Sequence, residues 1–252
     1  MACADRGVLV VTGASRGIGA SVARLGATAR YAVVVNYAVD AGGAAGVVRD
    51  ITDDGGTALA VQADVSDPGQ VRQLFDSAAA LGPVTAVVNN AGITGDLIAP
   101  LVDVPEATVR RVLEVNVAGV VFMCQEAQRR MSTGSGGTGG GIVNISSTAT
   151  KAGSPDTWVH YAASKGAVDV LTVGFAAEVA GQGIRVNAVA PGSTKTGLHA
   201  AAGMPDRVER LSPTVPLGRG AEPEEVAAAV LWLLSAEASY ITGVVLPVSG
   251  GR

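Results

Sequence analysis

A chain of 252 residues, 48% hydrophobic and only 16% charged, is long enough to bury one large α/β core, and its formal net charge of −4 comes without the basic run that nucleic-acid binding needs. Two cysteines, Cys3 and Cys124, cannot build a disulfide framework and fit a reducing cytoplasm; two histidines and no spaced cysteine pairs leave no metal cluster. No apolar run reaches the roughly 18 residues a membrane span requires, and the N-terminus lacks the basic-then-apolar pattern of a secretory signal.

Short β-branched runs alternate with longer Ala-rich segments of helical period along the chain. The pattern predicts strands at 8–11, 32–36, 57–61, 86–89, 141–145, 185–188 and 244–248. Helices are predicted near 17–29, 41–54, 68–80, 105–131, 157–180 and 222–235. Asp67-Pro68 and Glu222-Pro223 set a proline beside an acid, as at a helix start. The alternation predicts a single-domain α/β fold over 1–252: a doubly wound parallel sheet (a Rossmann fold) of about seven strands with helices on both faces. Two segments break the pattern. Residues 132–141, all Gly, Ser or Thr, read as a flexible surface connection. Residues 193–221 run long without a strand and follow one whose carboxyl end faces the site, so they read as a substrate lid.

Two features carry chemistry. Tyr161 and Lys165 lie four residues apart and project from one helix face. An ammonium there is expected to stabilise a phenolate and pull the phenol down from its usual value near 10, giving a proton donor and acceptor for an alcohol–carbonyl conversion. Lys165 is one of only three lysines, with Lys151 and Lys195; all other basic residues apart from histidine are arginines. The second feature is Thr12-Gly13-Ala14-Ser15-Arg16-Gly17-Ile18-Gly19, between the first strand and first helix. Its glycines let backbone approach a pyrophosphate, and the helix N-terminus adds free N–H groups and a positive dipole end. The spacing is Gly-x-x-x-Gly-x-Gly, unlike the commonest dinucleotide fingerprint.

These motifs, with Asp64-Val65, Asn89-Asn90-Ala91-Gly92, Asn116, Ser147 and Pro191-Gly192 in order, resemble the classical short-chain dehydrogenase/reductase family over nearly the whole chain. The resemblance implies hydride transfer between a nicotinamide and a carbonyl or alcohol. It implies Tyr161 as acid or base, Lys165 as its partner and a ligand of the nicotinamide ribose, Ser147 as a donor to the substrate oxygen, and Asn116 as anchor of a proton-relaying water. For the cofactor it implies Gly13, Ser15, Arg16, Gly17, Ile18 and Gly19 at the phosphates, Asp64 and Val65 at the adenine, and Asn89, Ala91 and Gly92 near the adjacent ribose. Pro191, Gly192, Thr194 and Thr196 are implied at the nicotinamide end. Ser147 stands 14 residues before Tyr161, one more than the family's commonest spacing, which leaves Ser146 and Thr148 open for the same role.

In such proteins an acid at the end of the second strand selects NAD. Here that end reads Val35-Asn36-Tyr37, and Arg16 is available for a 2′-phosphate, so NADP(H) is expected, with Asn36 and Tyr37 at the cofactor and Asp40 as the residue that would favour NAD. Leu198, Ala200, Ala201, Ala202 and Met204 suggest an apolar site and a small or medium ketone. His160 reads as structural, whereas His199 and Trp158 are open between substrate contact and packing. The nearest relatives by motif are 3-oxoacyl-carrier-protein reductases and glucose dehydrogenase-like enzymes. The former often carry an Arg near the position of Ala177, which this chain lacks. An NAD-linked alcohol or sugar dehydrogenase and an NADPH-binding sensor are the alternatives. The resemblance also implies a homotetramer, with helices 105–131 and 157–180 in one interface and the last strand in another.

Overall fold

The computed structural model describes residues 5–252, so Cys3 lies outside the described residues. Seven strands, β1 (Val8–Val11), β2 (Ala32–Tyr37), β3 (Ala58–Gln62), β4 (Val84–Asn89), β5 (Gly140–Ile145), β6 (Ile184–Pro191) and β7 (Val245–Val248), form one parallel sheet. Its order is β3-β2-β1-β4-β5-β6-β7, the expected doubly wound sheet. The chain reverses direction across the sheet between β1 and β4, and the crevice outside the carboxyl ends there is where such folds bind ligands.

Side chains alternate across each strand, so the sheet builds a core on each face. Val8, Val10, Val34, Val87, Ile142 and Val186 point to one side, beneath helices α3 (Pro68–Ala79), α5 (Gly119–Met131) and α7 (Val159–Val179). Leu9, Val11, Val33, Val35, Val88 and Val143 point to the other, beneath α1 (Gly17–Thr28), α2 (Ala41–Asp53) and α10 (Pro223–Leu234). All twelve of these strand side chains are fully buried, each contributing about 1.5–3 kcal/mol relative to exposure. The two proline-led helix starts form as expected: Asp67 accepts from the N–H groups of Gly69 and Gln70, and Glu222 and Glu225 make a reciprocal capping box. Among the described residues no helix is long and apolar enough to cross a membrane.

Two expectations need correction. The long helix over 105–131 is broken: α4 (Glu106–Leu113) passes through a π-helical turn, Glu114–Ala118, before α5. The extra residue in that turn re-aims Asn116, a common use of π-bulges. Residues 132–141 are a hydrogen-bonded turn rather than a loose connection. Gly137 donates to the Ser132 carbonyl (2.9 Å), Gly139 to Met131 (2.8 Å) and Gly140 to Gly183 (2.9 Å), and Gly140 already belongs to β5. Residues 193–221 contain two short helices, α8 (Gly197–Ala201) and α9 (Arg207–Leu211), α6 (Ala149–Ala152) being the short helix before α7. The segment is pinned at both ends, since Lys195 N–H donates to the Ala221 carbonyl and Ala221 N–H to that of Ser193, both at 2.9 Å.

Candidate active site

The glycine turn leaves β1 at the switch point. Gly13 and Gly17 have φ near +60°, a region open to glycine at little cost. A Cβ on Gly19 would lie 2.5 Å from Asn90 Nδ2 and 2.6 Å from the Gly13 carbonyl oxygen, so only glycine fits there. Asn90 clips the turn by donating to the carbonyls of Thr12 (2.9 Å) and Gly13 (3.0 Å), while the Thr12 hydroxyl accepts from the N–H groups of Asn90 and Ala91, both at 3.0 Å. Ser15 and Ile18 are half-buried in the turn. No side chain caps α1 and no acid occupies its first turn, so its N–H groups and dipole face the crevice without an internal anion. This cradle fits the pyrophosphate of a dinucleotide.

Two residues expected at the cofactor are scaffold instead. Asn36 is 1% exposed; it accepts from Gly13 N–H (3.3 Å) and donates to the carbonyls of Val61 (3.2 Å) and Ala63 (3.0 Å), tying the turn to β3. Asn89 is 2% exposed and donates to Asn144 Oδ1 (2.8 Å), which continues to the Thr172 hydroxyl. Tyr37 is half-buried at the end of β2. Asp40 caps α2 by accepting from Gly43 N–H at 2.9 Å. Arg16 is exposed, and among the described residues no carboxylate pairs with it. Asp64 accepts from Ser66 and from Arg111 (2.6 Å); although burial opposes it, these bonds hold its carboxyl below the usual range. Val65 is buried beside it, against Gly119.

The residues expected to carry the acid–base chemistry converge from separate elements. Ser147 follows β5, Tyr161 and Lys165 rise from α7, and Asn116 comes from the π-turn. The Ser147 hydroxyl lies beside the Tyr161 phenol and acts on its titration, and Ser147 Oγ accepts from Ala149 N–H at 3.1 Å. Of the two alternatives, Ser146 is buried with an unpartnered hydroxyl and Thr148 donates to the Pro191 carbonyl (3.3 Å). Lys165 Nζ donates to the Ile145 carbonyl at 2.7 Å and lies 5.8 Å from the Tyr161 ring centroid. Gly92 fits between Lys165 and Asn116, since a Cβ there would lie 3.3 Å from Nζ and 3.4 Å from Asn116 Oδ1. Asn116, fully buried, accepts from Ile93 N–H and donates to the Ile93 carbonyl, both at 2.9 Å, and donates to the Ser164 hydroxyl at 3.0 Å.

The expected downward shift of the phenol is reversed. Burial pushes Tyr161 up to about 12 against the opposing pull of the Ser147 hydroxyl, and pushes Lys165 down to about 8 against the charge of Asp169. At neutral pH the pair is a phenol beside an ammonium, a proton-donating arrangement.

The segments expected at the nicotinamide end and as a lid lie beside this cluster. Pro191 ends β6, and Gly192 donates to the Val248 carbonyl at 2.9 Å. Thr194 is buried with its hydroxyl on the Gly192 carbonyl (3.1 Å), whereas Thr196 caps α8 and packs against Gly17. Ala202 and Met204 pack with Trp158 and Tyr161, while Ala200 and Ala201 face solvent. Trp158 donates to the Leu97 carbonyl (2.8 Å) and meets Tyr161 edge to face at 6.2 Å. The His199 ring stacks on Trp158 at 5.6 Å, and the Arg207 guanidinium lies 4.8 Å from the Trp158 centroid. Burial, reinforced by Arg207, pushes His199 down to about 4, so it is neutral in the physiological range. His160 is buried with Nε2 on the Thr94 carbonyl (2.8 Å), a structural position as expected. Arg207 and Asn90 had no assigned role in the motif reading. The only sequence signal for Arg207 was its position just behind the apolar residues 200–204.

A cavity of about 440 Å³ separates the start of α1 from the segment around residues 195–209. A larger one, about 840 Å³, opens beside Arg6, Tyr31, Arg185 and Tyr240, and none of Asn116, Ser147, Tyr161 and Lys165 borders it.

Comparison with known proteins agrees with this geometry. Residues 13–252 match the family model described as Enoyl-(Acyl carrier protein) reductase. The chain is 46% identical over 246 residues to the uncharacterized oxidoreductase YgfF of Escherichia coli K12, covering 97% of this chain and 99% of that one. It is 43% identical over 246 residues to a cis-4-hydroxycyclohexanecarboxylate dehydrogenase of Sinomonas cyclohexanicum, covering 97% and 95%. It superimposes on a crystal structure of 3-ketoacyl-(acyl-carrier-protein) reductase from Brucella melitensis complexed with NADH, with a TM-score of 0.89, 34% identity and 98% of each chain covered. The chain therefore belongs to the short-chain dehydrogenase/reductase family, oxidoreductases of hydroxyl and carbonyl groups that bind a nicotinamide cofactor.

Proposed function

We propose that the protein is an NADP(H)-dependent reductase of small or medium, partly hydrophobic ketones. One observation carries this reading: a buried phenol, flanked by Ser147 and Lys165, lies beneath an apolar lid at the carboxyl end of the sheet. A bound nicotinamide supplies the hydride in such a reaction. Tyr161 gives its phenolic proton to the substrate oxygen as negative charge develops there. Ser147 donates a hydrogen bond to the same oxygen. Lys165 holds positive charge beside the ring, lowering the cost of the phenolate left behind. Asn116, next to Lys165 across Gly92, anchors the water through which the proton is replaced.

For the cofactor we assign the phosphates to the Gly13–Gly19 turn, the adenine to Asp64 and Val65, the adjacent ribose to the backbone at Ala91 and Gly92, and the nicotinamide end to Pro191, Gly192, Thr194 and Thr196. The choice of NADP(H) rests on Arg16, which has no carboxylate partner among the described residues, and on Asp40, which is held as a helix cap. The second reading, NAD-linked oxidation of a secondary alcohol, is favoured by the Sinomonas dehydrogenase. Reduction of a 3-oxoacyl thioester is favoured by the Brucella structure and opposed by the exposed Ala177, which offers no charge to an acidic carrier. A non-catalytic NADPH sensor would have no need of the Ser147–Tyr161–Lys165 cluster. We further propose a cytoplasmic homotetramer, for which exposed Val170 and Val173 on α7 and Leu113 on α4 offer one apolar face and the edge strand β7 another.

Cofactor consumption by the purified protein tests this reading, with NADPH and NADH compared over apolar ketones, 3-oxoacyl thioesters and sugar-derived ketones. Ketone reduction with NADPH at least about tenfold more efficient than with NADH is expected. Turnover confined to thioesters, faster NAD-linked alcohol oxidation, or NADPH binding with no turnover would each replace it with the corresponding alternative.

A further inference from the structure

Arg207 is a cation over the site that the reductase reading leaves unused. It opens α9 and is half-buried, and its guanidinium carbon lies 4.8 Å from the Trp158 centroid. Trp158 in turn meets Tyr161 at 6.2 Å, so a single indole ring separates the guanidinium from the reacting phenol. Among the described residues no carboxylate pairs with Arg207. The nearby charges acting on it are those of Arg210 and Arg252, and its polar contact is the Met204 thioether at 3.4 Å. Arg110, Arg130, Arg210 and Arg219, by contrast, each hold a carboxylate, and Asp206, next to Arg207 in sequence, is paired with Arg210.

A partly desolvated guanidinium is ordinarily paired, because removing it from water is costly. Stacking on an indole offsets part of that cost and leaves the planar fork of N–H donors, shaped for two carboxylate oxygens, without an anion. The surroundings are apolar on the side toward the phenol, where Ala202, Met204 and Trp158 pack with Tyr161.

We propose that Arg207 binds a carboxylate on the substrate, distal to the reacting carbonyl, so that the preferred substrates are oxo acids with an apolar body between the two groups. This rests on the reductase reading and names the substrate class for it. The apolar body packs on Trp158, Ala202 and Met204, and the carboxylate forms the bidentate pair that Arg207 lacks.

The test compares 4-oxocyclohexanecarboxylate with its methyl ester, using NADPH and the full chain. Wild type should prefer the acid by about tenfold or more in kcat/KM, mainly through KM. Arg207→Met should bring that preference close to one, and Arg207→Lys should restore part of it. Equal use of acid and ester by wild type overturns the proposal. So does an Arg207→Met variant that slows both compounds while keeping the preference, because Arg207 then only latches the lid. Binding is read independently of turnover from Trp158 fluorescence in a Trp232→Phe background, where Trp158 is the remaining tryptophan. Arg207-dependent quenching by the acid without any turnover would refute the reductase reading and leave the subsite standing. Quenching no stronger with acid than with ester would refute the subsite.

Discussion

The glycine turn and the lid face each other across the same crevice and are held in different ways. In the turn, the Thr12 hydroxyl, Asn90 and Asn36 all bond to main-chain groups, and Gly19 has no room for a methyl group. In the lid, two short helices are tied by backbone at the ends and through Leu217 N–H to the Gly250 carbonyl, and the middle rests on side chains: His199 and Arg207 against Trp158, Ala202 and Met204 against Tyr161. In the proposed function a cofactor common to many reactions meets a rigid backbone cradle, and the substrate meets a surface that a few side-chain changes can rebuild. That reading makes cofactor recognition a matter of local spacing and substrate recognition a matter of tertiary contact.

The sharpest way to break that contrast is Gly19→Ala. The new methyl must displace Asn90 or the Gly13 carbonyl, and overpacking of this kind costs about 1–3 kcal/mol. NADPH affinity, measured by fluorescence titration, should fall roughly 10- to 100-fold. Next is Arg16→Met, which should raise the KM for NADPH about tenfold and leave that for NADH unchanged, since a charged hydrogen bond to a 2′-phosphate exists only in the first case. Equal effects on both cofactors would remove Arg16 from the 2′ position. On the lid side, His199→Ala deletes one ring from the Trp158 stack. Aromatic pairs contribute about 0.5–1.5 kcal/mol, so ketone KM should change by about threefold with NADPH affinity intact. A large loss of NADPH binding would show that the two regions are not separable.

The smallest effect is a displacement along the pH axis. Lys165, depressed to about 8 by burial, is charged below that pH and neutral above it. Reduction should therefore fall as pH rises through about 8, read as kcat/KM against pH. Asp169 holds the Lys165 value up, so Asp169→Asn should move this falling limb to lower pH. An unmoved limb would assign it to another group.

Much of this architecture was legible because it depends on short-range pattern. The strands were recognisable from β-branched runs, and the glycine spacing marked the cradle, since both follow from local backbone needs. Asn36 and Asn89 were misassigned for a related reason. Both lie at strand ends where a cofactor is expected, yet Asn36 shares the strand face of Val34 and Asn89 that of Val87, so the two-residue period sends both inward. The π-turn at Glu114–Ala118 has no periodic signature, because the helix continues on both sides of it. The reversed shift of Tyr161 was hidden as well. Helical spacing gives the approach of Lys165, but not the burial that acts on both groups. The pairing of Arg207 with Trp158 joins residues from α9 and the residue before α7, and only the folded chain brings them together.

The most direct measurement is Tyr161→Phe beside wild type, with NADPH binding and ketone reduction followed in the same preparations. The proposed role of Tyr161 as proton donor predicts unchanged NADPH affinity and a loss of turnover of roughly 10²- to 10⁴-fold, the usual contribution of a positioned acid. A variant that reduces the ketone as fast as wild type would contradict it.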